Sequence, residues 1–421
     1  MSMRRGRAIA QGAGLVAVGM TVMNAAAYAY TLVAARLLGP QRYSAVAALM
    51  GVVLVVNVLA LGIQATTARR IAVHDDPRVA RTMLRTGVRA SLALGGACVL
   101  LSPLAAAAFD LESWVTPATV GLIAAALTVT GVQLGLLQGR RRWLAFASVS
   151  VASGVGRLVV GGAVLAIWPT PLGAMCGVAI GALVPLALGH VIVSRDPSPG
   201  GGQPHESSAG VVREVLHDSH TLLAFFALTQ VDVFAARITL PATESGLYAA
   251  GLILAKGVLF MPTFVTVMAF PVLARRRGHR HLHLIGLAIV ASIGGLAVLG
   301  ALLFPNITLA FVGGSQYGSV QQDLWLFALL GTITAMVQLL VQTALARSHR
   351  SAVWWMWGAL VVVLAGLTLV STGHELLLLV LSVDVALLLV LVVVTWTDHY
   401  RVPGSEDAAI SAGLSPPDHD G

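Results

Sequence analysis

At 421 residues the chain has the length of two or three soluble domains. Yet 57% of its residues are hydrophobic and only 10% are charged, against roughly 25% charged in soluble proteins. Only a solvent less polar than water tolerates such a surface, so the composition points to an integral membrane protein. The net charge of +8 is accounted for by the habit of cytoplasmic loops to collect Lys and Arg, and nucleic acid is not expected as a partner. Cys98 and Cys176 both lie inside apolar runs and read as small apolar filler, not as a disulfide or metal pair. No cofactor is expected.

Twelve apolar runs follow one another, at about 12–35, 43–65, 88–109, 114–138, 143–168, 171–194, 219–240, 245–273, 283–305, 322–346, 352–372 and 375–397. Each is near the ~20 residues a helix needs to cross ~30 Å of hydrocarbon. All are continuously apolar, not alternating, which argues against strands. The first run continues unbroken to about Ala35, longer than a secretory signal core, and reads as a first span. The N-terminus, the even-numbered loops and the C-terminus together hold 21 of the 26 basic residues, and the opposite loops hold only Arg36 and Arg42. This imbalance puts both termini in the cytoplasm. Residues 74–85 and 275–283 are expected as basic stretches on the anionic inner leaflet.

The Gly-, Ser- and Pro-rich segment 195–218 sits at the midpoint and reads as a cytoplasmic linker. It divides the chain into lobes 1–194 and 219–397, with a polar, disordered cytoplasmic tail at 398–421. The lobes echo each other. Residues 36–72 run from an arginine through a Gly-Pro turn and Tyr43 into an apolar segment closing on Arg69 and Arg70. Residues 237–276 repeat that plan with Arg237, Pro241, Tyr248, Arg275 and Arg276. A second echo pairs Gln133 with Gln342, each a few residues before a basic exit. Both echoes join helices of the same orientation, so the repeats are parallel, related by an axis along the membrane normal. The expected fold is all-α and polytopic, with about 12 transmembrane helices in two six-helix bundles.

At these residues the chain resembles the multidrug/oligosaccharidyl-lipid/polysaccharide exporter superfamily, and within it the bacterial polysaccharide (O-antigen type) flippase branch. The resemblance rests on RLLGPQRY and the helix after it, on GLYAAGLILAKGVLFMPTFVTVMAFPVLARR, and on the six-plus-six arrangement. It implies two bundles facing each other in a V and a central cavity opening alternately to each side. The implied cargo is a polyprenyl-pyrophosphate-linked glycan, carried across the cytoplasmic membrane of a bacterium by a monomer, with H+ or Na+ as a coupling ion. Lipid II flippases of the superfamily commonly carry fourteen helices. Twelve fit the oligosaccharide branch better.

Charges inside a span cost about 2.5–3.5 kcal/mol each at mid-helix, so each needs a reason. Arg157 has no sequence-local counter-charge and several glycine neighbours. Its planar fork suits a pyrophosphate headgroup; a backbone carbonyl or Asp384 is the alternative partner. Asp232 and Lys256 fall at matching depth on adjacent antiparallel helices, either as a structural ion pair or as a gate. Lys256 and Arg237 are secondary headgroup contacts, Arg237 alternatively reaching the interface, while Asp232 and Asp384 are counter-charges or coupling acids. Asn24, Gln133 and Gln342 are the candidate polar cavity residues, with interhelical hydrogen bonding as the bland reading. Pro185, Pro262 and Pro271 can bend helices six and eight.

Enzymatic readings fare poorly. The chain has no GxxxxGK[ST] phosphate loop. Asp110-Leu111-Glu112 offers an acidic pair of the kind membrane glycosyltransferases use, but in a short loop. A cation-coupled drug exporter is the nearer rival, although helix one lacks the acidic residues such exporters often carry there.

Overall fold

The computed structural model describes residues 2–73, 75–195, 208–259, 282–346 and 351–400, and every regular element among them is helical. Helix α1 (Ser2–Val73) is two limbs broken at Gly39, whose φ of 69° and ψ of 172° lie where glycine is the residue that fits. Pro40 then opens the second limb, where its missing N–H is no loss. The third crossing is α2 (Pro77–Leu100) continued by α3 (Ser102–Ala108), and the fourth is α4 (Val115–Gly139). The fifth is α5 (Trp143–Gly156), a single π turn (Arg157–Gly161) and α6 (Gly162–Ile167), and the sixth is α7 (Pro171–Ser194).

The second half repeats the count. It comprises α8 (Ser208–Thr239), α9 (Ala242–Leu259), α10 (Leu282–Leu303) with a short α11 (Pro305–Val312), and a 3-10 segment (Ser315–Asp323) entering α12 (Leu324–Ala346). It closes with α13 (Ser351–Gly366) and α14 (Gly373–Tyr400). Helix α8 already begins at Ser208, so the expected linker 195–218 ends earlier than composition suggested. The arginines of 78–85 lie not in a loop but in the first turns of α2, capped by Asp76 and started by Pro77. Pro185 lies inside α7; Pro262 and Pro271, Arg275 and Arg276, the 275–283 stretch and the tail beyond Tyr400 fall outside the described residues.

Packing reproduces the repeat. The fourth crossing, α4, lies against the second limb of α1, α2 and α7; the tenth, α12, lies against α9, α10 and α14. The first crossing packs on the fifth and the seventh on the eleventh. Glycines allow the closest approaches: a Cβ at Gly156 would sit 2.7 Å from the Gly181 carbonyl oxygen, and one at Gly181 would sit 2.8 Å from that of Gly156. Exposed Trp114 and Trp168 at one end of the bundle, and Trp354 and Trp355 at the arginine-rich end, mark the two membrane–water interfaces.

The halves meet at the end opposite the arginines. Gly246, in the first turns of α9, backs onto Pro40, so the two repeated turns touch each other. Farther in, Gly51 lies against Phe234 and Gln230, and Gly257 faces the Tyr28 hydroxyl. A stacked pair, Phe109 and Phe234, with ring centroids 5.9 Å apart, adds to the seal.

Candidate functional site

The candidate site is assembled from three polar constellations among the described residues. The first is a cavity within the second half, enclosed by α8, α9, α12 and α14. It is lined by Gln230, Asp232, Lys256, Thr334 and Asp384 among apolar residues such as Phe225 and Val380. The space open to the centre of a water molecule is about 50 Å³, room for a few waters or a small cation but not for a sugar.

Asp232 and Lys256 do share this cavity, as their matching depth predicted. Their direct hydrogen bonds go elsewhere, however. Lys256 Nζ donates to Gln230 Oε1 at 3.2 Å, and Asp232 Oδ1 accepts from the Val233 amide at 2.7 Å. Asp384, expected as a possible partner of Arg157, is bound instead to Thr334, whose hydroxyl donates to Asp384 Oδ2 at 2.8 Å. Asp232 and Asp384 are both buried. Two carboxylates and one ammonium therefore converge, an arrangement one positive charge short of neutrality when both acids are ionised. Thr334 and Thr229 escaped sequence reading, because a lone hydroxyl in an apolar run carries no signal until the fold groups it with others.

The second constellation is Arg157 in the first half. It opens the π turn between α5 and α6, half-buried beside Tyr30. No hydrogen bond or ion pair to Arg157 exists among the described residues, whereas the neighbouring Tyr30 hydroxyl is held by the Ala174 carbonyl at 2.9 Å. Among the glycines around it Gly162 leaves open space, but Gly154 backs onto Met23, and Gly156 onto Gly181. Their work is helix packing. The π turn carries the stronger signal, since such one-residue expansions of a helix are costly and concentrate at functional sites. Asn24 lies half-buried on the first limb of α1.

Gln133 is no cavity residue. Only 2% exposed, it is wedged between α4 and α7, donating to the Leu186 carbonyl at 3.2 Å, with its side chain over Gly189. Interhelical bonding, the bland reading, holds for it. Gln342 lies in α12 with its side chain outside the described residues.

The third constellation sits at the turn end, between the halves. Arg237, expected at a headgroup or the interface, is buried and spends its guanidinium on the first half. Nε donates to the Phe109 carbonyl at 2.8 Å, Nη2 to the Asp110 carbonyl at 2.9 Å and Nη1 to Ser44 Oγ at 2.9 Å. Phe109 and Asp110 follow the C-terminus of α3, where helical carbonyls lack partners and a cation is favoured. Arg36 reciprocates, its Nη2 donating to the Ala310 carbonyl at 2.7 Å, and Tyr317 donates to the Ala35 carbonyl at 2.8 Å. Hydrogen bonds between the halves thus gather at the turn end.

Twin bundles of membrane-spanning helices, joined at one end and with charges inside the spans of each, define a multi-pass membrane protein. Residues 9–276 match the family of polysaccharide biosynthesis proteins, and the chain belongs to that family. No curated protein matches the sequence. Among solved structures, the fold is similar to the inward-facing conformation of a multidrug resistance MATE family transporter of the MOP superfamily. The two share 13% identity over 88% of this chain and 92% of that one, with a TM-score of 0.68. The outward-facing conformation of a MATE family transporter matches with 14% identity over 90% and 94% of the two chains, at a TM-score of 0.60. The eukaryotic MATE transporter AtDTX14 matches with 12% identity over 93% and 96%, at 0.59. The chain is therefore a transporter of the multidrug/oligosaccharidyl-lipid/polysaccharide exporter superfamily and not an enzyme.

Proposed function

We propose that the protein flips a polyprenyl-pyrophosphate-linked oligosaccharide from the inner to the outer leaflet of a bacterial cytoplasmic membrane, with both termini inside. The observation that carries this reading is Arg157. A guanidinium kept within a membrane span costs several kcal/mol unless something anionic receives it, and no described residue does so. A pyrophosphate, offering paired oxygens to a planar fork, matches that need. Membership of the polysaccharide biosynthesis family points the same way.

Transport proceeds by alternating access. In the present state the turn end, which is the outer end on this reading, is closed by Arg237, Arg36 and Tyr317. Cargo is then admitted from the arginine-rich, cytoplasmic side. Asp232 and Asp384 act as coupling acids: a proton or a small cation entering their cavity balances the excess carboxylate, with Lys256 as a built-in counter-charge. Gln230 links that cavity to the seal, since it bonds Lys256 and also lies against Gly51 of the other half.

The test is deletion of the protein followed by a leaflet assay for lipid-linked glycan. Accumulation in the inner leaflet is expected, and an unchanged distribution overturns the reading. The rival, a cation-coupled multidrug exporter, is favoured by the fold's likeness to MATE transporters. It predicts drug sensitivity on deletion with normal glycan export.

A further inference from the structure

Helix α2 stands at the edge of the first half, packed chiefly on α4. Its buried side is Ala80, Met83, Thr86, Gly87, Ser91 and Gly95. Its other side carries Arg78, Arg81, Arg85 and Arg89, all exposed. At 100° per residue these four fall within about 80° of arc and rise about 16 Å along the helix, a single vertical ladder of cations.

The local acids do not neutralise its lower rungs, Arg85 and Arg89. Asp75 is held by Arg140 at 2.9 Å, and Asp76 is used as the N-cap, accepting from the Arg78 amide at 2.7 Å. Among the described residues Arg81 reaches only its own helix, at the Pro77 carbonyl. Arg85 and Arg89 have no hydrogen bond or ion pair among the described residues. A general excess of positive charge on one side of a membrane asks for none of this regularity. It is met equally by arginines scattered in mobile loops.

Depth identifies what the lower rungs meet. From Ala90 to the end of α3 at Ala108 the helix runs about 28 Å, the thickness of the hydrocarbon. Arg89 and Arg85 therefore stand in the phosphate layer of the arginine-rich side, with Arg81 and Arg78 above it. On the surface of the bundle, away from α4, the anions available at that level are lipid phosphates.

We propose that the Arg85–Arg89 face of α2 is a binding site for anionic phospholipid headgroups, with Arg81 and Arg78 adding long-range attraction. That the leaflet is the inner one rests on the orientation proposed above; binding to the face does not. A fixed cationic edge on the first bundle also gives that bundle a lipid-dependent anchor against which the other half can rock.

Native mass spectrometry of the detergent-purified full chain tests this, with phosphatidylglycerol and phosphatidylcholine as competing probes. Each arginine near a lipid surface is worth about five-fold in attraction, so Arg85→Gln with Arg89→Gln should cut phosphatidylglycerol retention about 25-fold and leave phosphatidylcholine unaffected. The paired Lys variant should retain it, because the attraction is one of charge. Matching thermal unfolding of all three proteins shows that α2 is intact. Unchanged phosphatidylglycerol retention in the Gln pair overturns the proposal, as does equal retention of both lipids by the unaltered chain. Displacement of the lipid from the unaltered chain by inorganic pyrophosphate at comparable concentration also overturns it, because the face would then be a phosphate site.

Discussion

At the scale of single residues, two side chains of similar sequence appearance separate cleanly. Arg157 and Arg237 are both arginines within apolar runs, but Arg237 is satisfied three times by the opposite half whereas Arg157 has no protein partner among the described residues. Hydrogen bonds to a charged group contribute about 1.5–3 kcal/mol each. Arg157→Ala should therefore weaken capture of the glycan lipid by roughly 10- to 100-fold and abolish flipping, with membrane insertion intact. Normal export by that variant, measured by the leaflet assay, removes Arg157 from the site. Gln133 makes the opposite case. Its Oε1 is buried without a partner, so Gln133→Met should leave transport unchanged and thermal stability equal or slightly higher, since an unpaired buried carbonyl is itself costly. Sequence named all three residues as polar exceptions. It could not say which was satisfied, because satisfaction depends on carbonyls such as those of Phe109 and Leu186, over a hundred and some fifty residues away.

At the scale of elements, the turn-end contacts form the device that the proposed alternating-access cycle must break. Arg237 ties α8 to the end of α3, and Arg36 ties α1 to α11. Arg237→Ala should shift the balance toward an opened turn end by about 10- to 100-fold, given the charged bonds lost. A cysteine placed at Ala47, with Cys98 and Cys176 replaced by Ser, reports this as faster labelling by a thiol reagent that cannot cross membranes. Labelling at the unaltered rate means that Arg237 does not hold the seal. The cavity between α8, α9, α12 and α14 yields a second element-scale prediction. Asp232→Asn together with Asp384→Asn should leave glycan-lipid binding intact and remove the dependence of flipping on an ion gradient. Persistent gradient dependence in reconstituted vesicles places coupling elsewhere. The sequence paired Asp232 with Lys256 by depth along two antiparallel helices. Thr334 and Asp384 entered the group only because α12 and α14 fold against them.

At the scale of the molecule, the repeat is what supplies the two states that the proposed cycle requires. Equivalent helices make equivalent contacts in each half, with α4 and α12 central in their bundles. Rigid halves of this kind can exchange one closed end for the other with little internal rearrangement. A short bifunctional cross-linker between cysteines at Arg36 and Ala310, whose side chain and carbonyl are already in contact, should lock the turn end shut and stop transport. Cleaving the link should restore it. Transport at full rate with the link in place would exclude rocking about this seam.

The amino-acid order by itself determined the membrane as solvent, the number of crossings, the duplication and its parallel sense, and the handful of charges worth asking about. These follow from run length, loop charge and internal repetition, all of which are local or periodic properties. Tertiary structure alone decided what those charges touch. Arg237 became a tie between the halves, Gln133 a packing contact, Asp384 a neighbour of Thr334, and the 78–89 arginines a ladder on one helix. The reason is that hydrogen-bond partners inside a bundle are brought together by helix packing, and a run of apolar residues specifies that it will be buried without specifying which face meets which neighbour.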